Sequence, residues 1–419
     1  MELAAEARRA TGDREAWLSR RLFPLLATIG LIAFGIASTT WWGPALLGKA
    51  GWSLPDDLWA TLAAAQRLMH GDLAGLYTPP TRLVTFPGAA VILVPVVAII
   101  DAGHLSLQVQ NAHNLHPAAW LIAGPCEIAL SAVTLFAADA IAERLGASRP
   151  KRAVLALASA VALWSVSVRW GHPEDAVALG LLLYAILALS ESRTARSAWL
   201  VGAAVAIQPL VLLALPVMAV IIEPRRLAGF LTRAATPAAV LLGAAAAANW
   251  TATVHAVTSQ PNWVTVDQVT PWASLAPHEG TGPGVAAGPA RLLAIIVACG
   301  CALAAGRRWR AARAAPQWST QTLTEVLWWT ALALALRSVF EPVMVAYYLW
   351  PPLAVALIAA SVSWSRLILT SAAAAVLTLV SQLTLPGPWS WWTPMIAGLA
   401  LTLFFARVPG GRPVLSQGE

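Results

Sequence analysis

Charged residues are scarce in this chain of 419 residues, and their scarcity excludes a soluble globular domain. They make up 11% of the sequence, whereas a soluble domain carries about a quarter. Hydrophobic residues make up 58%, and the mean hydropathy is +0.67. We therefore expect a protein embedded in a membrane.

Two other common functional signals are missing. The three cysteines, Cys126, Cys299 and Cys301, lie within or at the edge of apolar segments and have neither metal-ligand nor disulfide-framework spacing. They are predicted to pack between helices. The sequence also has no glycine-rich phosphate loop and no soluble nucleotide-binding domain, so nucleotide binding is not expected.

Long apolar stretches dominate the sequence instead. Many of them contain about 17 to 25 residues, enough to cross a bilayer as a helix that satisfies its own hydrogen bonds. The net charge of +7 comes from arginines in the short loops between these stretches, which is the positive-inside pattern and not a nucleic-acid signal. The predicted fold is an all-α, polytopic transmembrane helical bundle with about 11 to 13 membrane segments.

The order of the stretches predicts one transmembrane domain, residues 22–407, between cytoplasmic tails at 1–21 and 408–419, with outer loops at 43–85 and 249–290. The expected segments are 22–42, 86–100, 119–141, 153–170, 176–190, 197–222, 227–248, 291–305, 323–340, 343–361, 367–383 and 394–406. We expect region 86–118 to return to the outer face as a re-entrant hairpin broken at Pro95. Segment 197–222 is expected to form two short helices separated at Gln208-Pro209.

The first outer loop carries an acidic pair, Asp56 and Asp57. Pro55 followed by carboxylates is typical of a helix start. Apolar residues then recur at helical spacing, at Leu58, Leu62, Ala65 and Met69. We interpret this segment as an amphipathic helix along the membrane surface with two carboxylates at its start. The alternative is an ordinary N-capped surface helix.

Acidic residues and three arginines fall at the predicted outer ends of the spans. They are Asp56, Asp57, Asp72, Glu174, Asp175, Asp267, Glu279 and Glu341, with Arg82, Arg169 and Arg337. An ionisable residue beside hydrocarbon is costly, and it usually lies in a cavity or in a pair. These residues are therefore either structural ion pairs at helix ends or the lining of an outward-facing cavity. In the second case the carboxylates abstract protons and the arginines bind an anionic group such as a lipid phosphate.

Short motifs occur in the same segments. In order they are Asp56-Asp57, Leu76-Tyr77, Phe86-Pro87, Gly171-His172-Pro173-Glu174-Asp175, Gln208-Pro209-Leu210, Glu341-Pro342 and Tyr347-Tyr348-Leu349 followed by Pro351-Pro352. This order resembles the GT-C type polyprenyl-phosphate-dependent glycosyltransferases. It is most similar to glycosyltransferase family 87, which includes actinobacterial α-mannosyltransferases and arabinofuranosyltransferases of envelope glycolipids. Phe86-Pro87-Gly88 stands where that family has Tyr-Pro-Pro, and Gln208-Pro209 stands where it has Lys-Pro.

The resemblance implies an inverting transferase in the plasma membrane, with its N-terminus in the cytoplasm and its site on the outer face. The implied donor is a sugar, mannose in the first instance, on a polyprenyl phosphate. The implied acceptor is a hydroxyl of a glycolipid or polysaccharide. One carboxylate of Asp56 and Asp57 would be the general base, and Arg82, Arg169 and Arg337 would bind the leaving phosphate. No cofactor is implied, and a divalent cation is compatible but not demanded by any ligand spacing.

Further residues are candidates for contact with substrate. They are His172, Glu174, Asp175, Tyr77, Glu341, Tyr348 and His278. The carboxylates after His172 would also suit a helix N-terminus. Tyr347 and Tyr348 are better explained by the aromatic belt at a membrane interface.

Two other functions fit the same residues. A transporter or flippase of a lipid-linked sugar would use broken helices and outer arginines, but it predicts functional charges near the membrane midplane. A non-catalytic partner with the same fold would explain the changed motif positions.

Overall fold

A computed structural model describes residues 17–38, 55–79, 83, 85–107, 117–259, 262–263, 268–278, 284–286, 288–311, 318–383 and 385–407, which are mostly helical. The helices of the first half are α1 (Leu22–Ala37), α2 (Asp56–Met69), α3 (Gly88–Ala102), α4 (Pro117–Ser131), α5 (Val133–Arg144), α6 (Arg149–Trp164), α7 (Pro173–Ser190) and α8 (Thr194–Ile207). Those of the second half are α9 (Leu215–Ala219), α10 (Pro224–Ala248), α11 (Trp250–Ser259), α12 (Pro289–Ala311), α13 (Thr320–Phe340), α14 (Trp350–Ala360), α15 (Trp364–Val380) and α16 (Pro388–Ala406). A π-helical turn, Ser165–Trp170, extends α6, and 3₁₀ turns cover Pro209–Ala214, Pro271–Leu275 and Ala346–Leu349.

Within the described part of the chain, seven helices are long and apolar enough to cross a membrane. They are Ala118–Arg144, Arg149–Trp170, Pro173–Ser190, Pro224–Ala248, Pro289–Trp309, Thr320–Phe340 and Pro388–Ala406. Six shorter apolar helices accompany them. The prediction of a multi-pass all-α bundle is thereby confirmed. The number of crossings and their orientation stay predictions. The predicted tails lie almost entirely outside the described residues, as do Asp267 and Glu279.

The predicted break at Gln208-Pro209 is confirmed. Gln208 is extended, with φ −144° and ψ 113°, and Pro209 cannot donate the backbone hydrogen bond that would continue α8. The chain then turns back and returns to the end of the bundle where α8 began. Arg193, just before α8, and Arg226, which follows α9, line the same cavity there. Segment 194–222 is therefore a hairpin of short helices.

The predicted break at Pro95 is wrong. Pro95 lies inside the continuous helix α3, as prolines in apolar helices do when neighbouring helices support the freed backbone groups. The segments on both sides of α3 nevertheless fold onto α2, because Leu83 and Leu107 belong to the same core cluster as Leu58. The Trp59 indole N–H also donates to the Leu107 carbonyl at 2.6 Å. α3 is therefore one continuous helix packed against α2, and the return of region 86–118 to the outer face stays a prediction.

Two helices occupy the centre of the bundle. Nearly every residue of α7 and every residue of α14 is buried, as expected for helices that are apolar on all faces. A methyl group at Gly180 would lie 2.6 Å from the Val133 side chain and 3.0 Å from the Thr134 amide, so α5 approaches α7 closely at this glycine. The centre is thus rigidly packed, and the first turn of α7 is fixed relative to its neighbours.

The three cysteines do not all pack between helices. Cys126 and Cys301 are partly buried, whereas Cys299 is exposed on α12. The packing prediction is therefore wrong for Cys299. Pro289–Trp309 is a candidate membrane span, so a small apolar side chain can equally face outward there.

Short strands lie in the segment between α11 and α12, and one of them joins this segment to the end of α13. β2 (Gln268–Val269) pairs antiparallel with β4 (Val343–Met344), and β1 (Asn262–Trp263) pairs with β3 (Gly284–Val285). The buried Thr270 hydroxyl donates to the Glu341 carbonyl at 2.6 Å. This segment thus fixes the backbone around Glu341 at the end of the bundle where α2 and α7 begin.

Candidate functional site

A left-handed glycine creates the turn between α6 and α7. Gly171 has φ +67°, and the His172 amide donates to the Val166 carbonyl at 3.0 Å to close the π-helical turn. Built onto Gly171, a methyl group would lie 2.9 Å from Pro55 Cγ and 3.1 Å from Leu58 Cβ. The start of α2 therefore rests directly on this turn, which brings Asp57 to His172.

Asp57, His172 and Glu174 form a connected acid–base group. Asp57 Oδ2 lies 3.3 Å from His172 Nε2, and His172 Nδ1 lies 2.7 Å from Glu174 Oε1. The Asp57 side chain is 50% exposed, whereas those of His172 and Glu174 are each 4% exposed. One accessible carboxylate thus lies at ion-pair distance from a buried histidine, whose Nδ1 is hydrogen-bonded to a buried carboxylate.

The histidine of this group is readily charged. Burial opposes protonation, but the carboxylate of Glu174 and the contact with Asp57 outweigh it and raise the pKa of His172 well above its ordinary value. An imidazolium between two carboxylates attracts both of them and so holds the three side chains together. The interpretation of Glu174 as a mere helix-start carboxylate does not account for this contact.

A second chain of polar contacts leads from Asp175 to the segment between α2 and α3. The Gln208 amide donates to Asp175 Oδ1, and Thr85 Oγ1 lies 3.4 Å from Gln208 Oε1. Thr85 Oγ1 also donates to the Ile207 carbonyl at 3.1 Å, and the Tyr77 hydroxyl donates to the Thr85 carbonyl at 3.1 Å. Burial raises the pKa of Tyr77. The break after α8 therefore supplies a polar residue to the site.

Gly88 permits this second chain to form. A methyl group there would lie 2.3 Å from the Ala206 carbonyl oxygen and 2.9 Å from the Ile207 amide nitrogen. The start of α3 thus touches the backbone at the end of α8, and Thr85 comes within reach of Gln208.

The aromatic-belt interpretation of Tyr347 and Tyr348 is wrong. Their exposures are only 7% and 5%, because the 3₁₀ turn that carries them lies inside the bundle. The Tyr347 ring stacks on the His172 imidazole with centroids 4.1 Å apart and planes 24° apart. Tyr348 meets Tyr347 edge to face at 4.8 Å. The pair therefore forms a wall of the site.

The guanidinium group of Arg337 packs on the Tyr348 ring, with its central carbon 3.6 Å from the ring centre. Its i,i+4 neighbour Glu341 is 4.0 Å away, and Glu341 is bonded more closely to Arg291, whose Nε donates at 2.9 Å. Among the described residues nothing accepts a hydrogen bond from the buried Nη1 of Arg337. Arg337 thus has a buried donor left over for an anionic group.

These residues surround one region. Tyr347 lies within electrostatic reach of Asp57, Asp175 and Arg337. The structure therefore brings together seven of the predicted site residues. They are Asp57, Tyr77, His172, Glu174, Asp175, Arg337 and Glu341, with Tyr348 beside Arg337 as an eighth.

The other predicted site residues are Arg169, His278, Arg82 and Asp56. Arg169 is half-buried, with its guanidinium carbon 5.8 Å from the Trp170 ring centre, and Glu174 bonds to His172 instead. His278 is exposed, and its backbone bridges to Val285. Arg82 lies outside the described residues, and so does the side chain of Asp56. Their predicted roles stay predictions.

Glu127 is a site neighbour that the sequence analysis missed. It lies well inside the 118–144 helix, is 4% exposed, and is within electrostatic reach of Glu174 and His172. Its Oε2 accepts no hydrogen bond from any described residue. The available signal was a lone carboxylate within an apolar span, which is by default a functional hypothesis.

No group of three or more His, Cys, Asp and Glu side chains in the described ranges is arranged to hold a metal ion. The optional divalent cation stays a prediction. What the arrangement offers without one is an accessible carboxylate, a buried histidine beside it, and a buried arginine donor. Those groups suit removal of a proton from a hydroxyl and binding of an anion.

Comparison with protein-family models gives no match for this chain, and neither does comparison with curated proteins.

Proposed function

We propose that the chain is a GT-C-like membrane glycosyltransferase. It transfers a sugar, mannose in the first instance, from a polyprenyl phosphate to a hydroxyl of an envelope glycolipid or polysaccharide at the outer face of the plasma membrane. The observation that carries the proposal is the half-exposed Asp57 carboxylate, held 3.3 Å from the buried His172. A general base must be accessible to substrate and fixed in place, and Asp57 meets both requirements.

In the proposed reaction Asp57 removes the proton of the acceptor hydroxyl. The hydroxyl oxygen forms a bond to the anomeric carbon, and the bond between that carbon and the phosphate oxygen breaks. The electron pair leaves with the polyprenyl phosphate. One base on the face opposite the leaving group is sufficient, so the anomeric configuration inverts. His172 holds Asp57 in place, and Glu174 holds His172.

The leaving phosphate needs a fixed positive charge. Arg337 supplies it, since its guanidinium is packed on Tyr348 and its Nη1 is a buried donor with no acceptor among the described residues. Glu341 and Arg291 keep Arg337 in place from behind. An arginine donor oriented in advance, where water is excluded, stabilises developing negative charge more than one in bulk water does.

The test is sugar transfer by the purified full-length chain in detergent, with radiolabelled polyprenyl-phosphate mannose and envelope glycolipid acceptors. Asp57→Asn should lower the turnover rate by about 10² to 10⁴, as expected for loss of a general base. Asp101→Asn is the matched control, because Asp101 is an exposed carboxylate at the end of α3. It should keep the wild-type rate within about twofold.

Asp56→Asn tests the other carboxylate of the pair and should leave most activity intact. If the wild type does not transfer mannose, the same series is run with polyprenyl-phosphate arabinose. Inactivity with both donors, or full activity in Asp57→Asn, would overturn the proposal. Unchanged elution and melting of each variant show that a lost rate is not a lost fold.

Glu127 favours one second candidate, a transporter or flippase of a lipid-linked sugar. A buried carboxylate inside a long apolar helix is what that function predicts. A transporter would move labelled polyprenyl-phosphate sugar across liposomes without forming a new glycosidic bond, and Glu127→Gln would stop the movement. Sugar transfer that survives Glu127→Gln but not Asp57→Asn would exclude this candidate.

A further inference from the structure

The end of the bundle opposite Asp57 contains a cavity of about 560 Å³ that is lined by arginines. Five arginines converge on it from the residue before α8 and from α8 and α10 themselves, namely Arg193, Arg196, Arg225, Arg226 and Arg233. A bias towards basic loops explains the sign of this charge. It does not explain why arginines at the starts of two different helices share one cavity.

Two of the five arginines are neutralised by neighbours. Arg193 pairs with Glu191 at 3.2 Å, and Arg226 pairs with Glu223 at 3.2 Å. Arg233 donates to the Gly229 carbonyl at 3.0 Å, which leaves its charge uncompensated.

The remaining two arginines, Arg196 and Arg225, are exposed and make no hydrogen bond or ion pair with any described residue. The cavity thus carries an excess of positive charge. Two of its guanidinium groups are free to bind a ligand.

Two helix N-termini open at the same place. α8 begins at Thr194 and α10 begins at Pro224, and neither has a side-chain cap on its first amides. The amides of a first turn and the helix dipole both favour an anion. Ser192, just before α8, is held at φ +63°, an uncommon conformation for a residue with a side chain. The backbone of the loop before α8 is therefore strained at Ser192, and strained backbone is common in binding loops.

We propose that this cavity binds a phosphate group, carried by an anionic lipid headgroup or by a soluble phosphate. Guanidinium groups bind phosphate oxygens through paired hydrogen bonds, and uncapped helix N-termini add further donors. The cavity lies where α8 and α10 emerge from the apolar part of the bundle, the level at which lipid headgroups lie. The proposal is independent of sugar transfer, because its readout is binding.

The experiment uses the full-length chain in detergent and measures binding of a fluorescent phosphatidylglycerol. Phosphatidylcholine, whose headgroup is neutral overall, is the lipid control. The double variant Arg196→Gln/Arg225→Gln should bind phosphatidylglycerol at least tenfold more weakly. The double variant Arg144→Gln/Arg307→Gln removes the same charge from exposed arginines at the same end but outside the cavity, and should stay within twofold.

A variant that binds phosphatidylglycerol more tightly serves as a control for misfolding. Glu223→Gln frees Arg226 and should tighten phosphatidylglycerol binding several-fold, which a damaged protein would not do. Competition with inorganic phosphate separates the two sources. Displacement at millimolar phosphate assigns the site to a soluble anion, and no displacement assigns it to a lipid headgroup.

Two outcomes would overturn the proposal. One is an equal loss of phosphatidylglycerol affinity in the two double variants, which would show that the effect comes from net charge alone. The other is a wild type that prefers phosphatidylglycerol no more than phosphatidylcholine and retains no inorganic phosphate.

Discussion

Replacing Gly171 by alanine tests whether the site is assembled as described. Gly171 is required twice, once for its φ of +67° and once for the close approach of α2. A methyl group would lie 2.9 Å from Pro55 Cγ, whereas carbon atoms in contact prefer about 3.5 Å or more. Because the proline ring cannot rotate away, we expect the start of α2 to move by about 0.6 Å or more.

The size of the effect follows from these two penalties. A left-handed alanine costs about 1 kcal/mol, and overpacking adds about 1 to 3 kcal/mol. With an unfolding entropy of about 2.1 cal/mol/K per residue, 1 kcal/mol corresponds to about 1 °C in Tm for a chain of this length. Gly171→Ala should therefore lower the Tm by about 2 to 4 °C. If the transferase proposal holds, the longer distance from Asp57 to His172 should also lower the transfer rate by about tenfold.

Gly146→Ala is the matched control. Gly146 has φ +77°, but no atom lies within 4 Å of an added methyl group. It therefore carries the backbone penalty alone, with an expected Tm decrease of about 1 °C and no change in rate. Melting is followed by tryptophan fluorescence in detergent. Equal decreases in Tm for the two variants would refute the close contact between α2 and the Gly171 turn.

Two further predictions concern charged groups of the same site. The pKa of His172 is raised in the fold, so its stabilising contribution is fully present below the unfolded pKa of about 6.5 and is lost as the pH rises through the folded value. The wild-type Tm should therefore fall as the pH rises above about 7, and His172→Gln should remove that component; identical pH profiles for the two proteins would contradict it. Glu341→Gln leaves Arg291 and Arg337 without their buried carboxylate, so we expect a loss of about 3 to 5 kcal/mol, measured as a decrease in Tm of about 3 to 5 °C. Glu223→Gln, which breaks an exposed pair, should change the Tm by no more than about 1 °C, and an equal effect of both changes would show that Glu341 is not buried with its partners.

Local features of the fold were predictable from the sequence. The positions of the helices could be predicted because a membrane helix needs a run of consecutive apolar residues, and such runs are visible in the sequence. The break at Gln208-Pro209 was also predictable, because Pro209 cannot donate to the preceding turn. Pro95 was not distinguishable by the same rule. Whether a proline ends a helix depends on whether neighbouring helices support the freed backbone groups, and those neighbours are distant in sequence.

The site was predictable in its parts but not in its connections. Asp57 and His172 were both recognisable as polar residues at the ends of apolar segments. Their contact was not, since it depends on the Gly171 turn meeting the start of α2. Tyr347 was assigned to a membrane belt because aromatic residues at span ends usually lie there. Its stacking on His172 requires a 3₁₀ turn inside the bundle, which no local pattern indicates.

Glycine determines how closely the elements of the site approach. Helices in a bilayer gain little from burying apolar surface against one another, so they associate by close packing at small residues. Gly171 brings α2 onto the turn before α7, Gly88 brings α3 onto the end of α8, and Gly180 brings α5 onto α7. The first two contacts place Asp57 at His172 and Thr85 at Gln208, and the third fixes the helix from which Glu174 and Asp175 extend. The acid–base group and the polar chain beside it therefore depend on backbone contacts that the charged residues do not themselves make. For this reason a methyl group at Gly171 should displace Asp57 from His172 without touching either side chain.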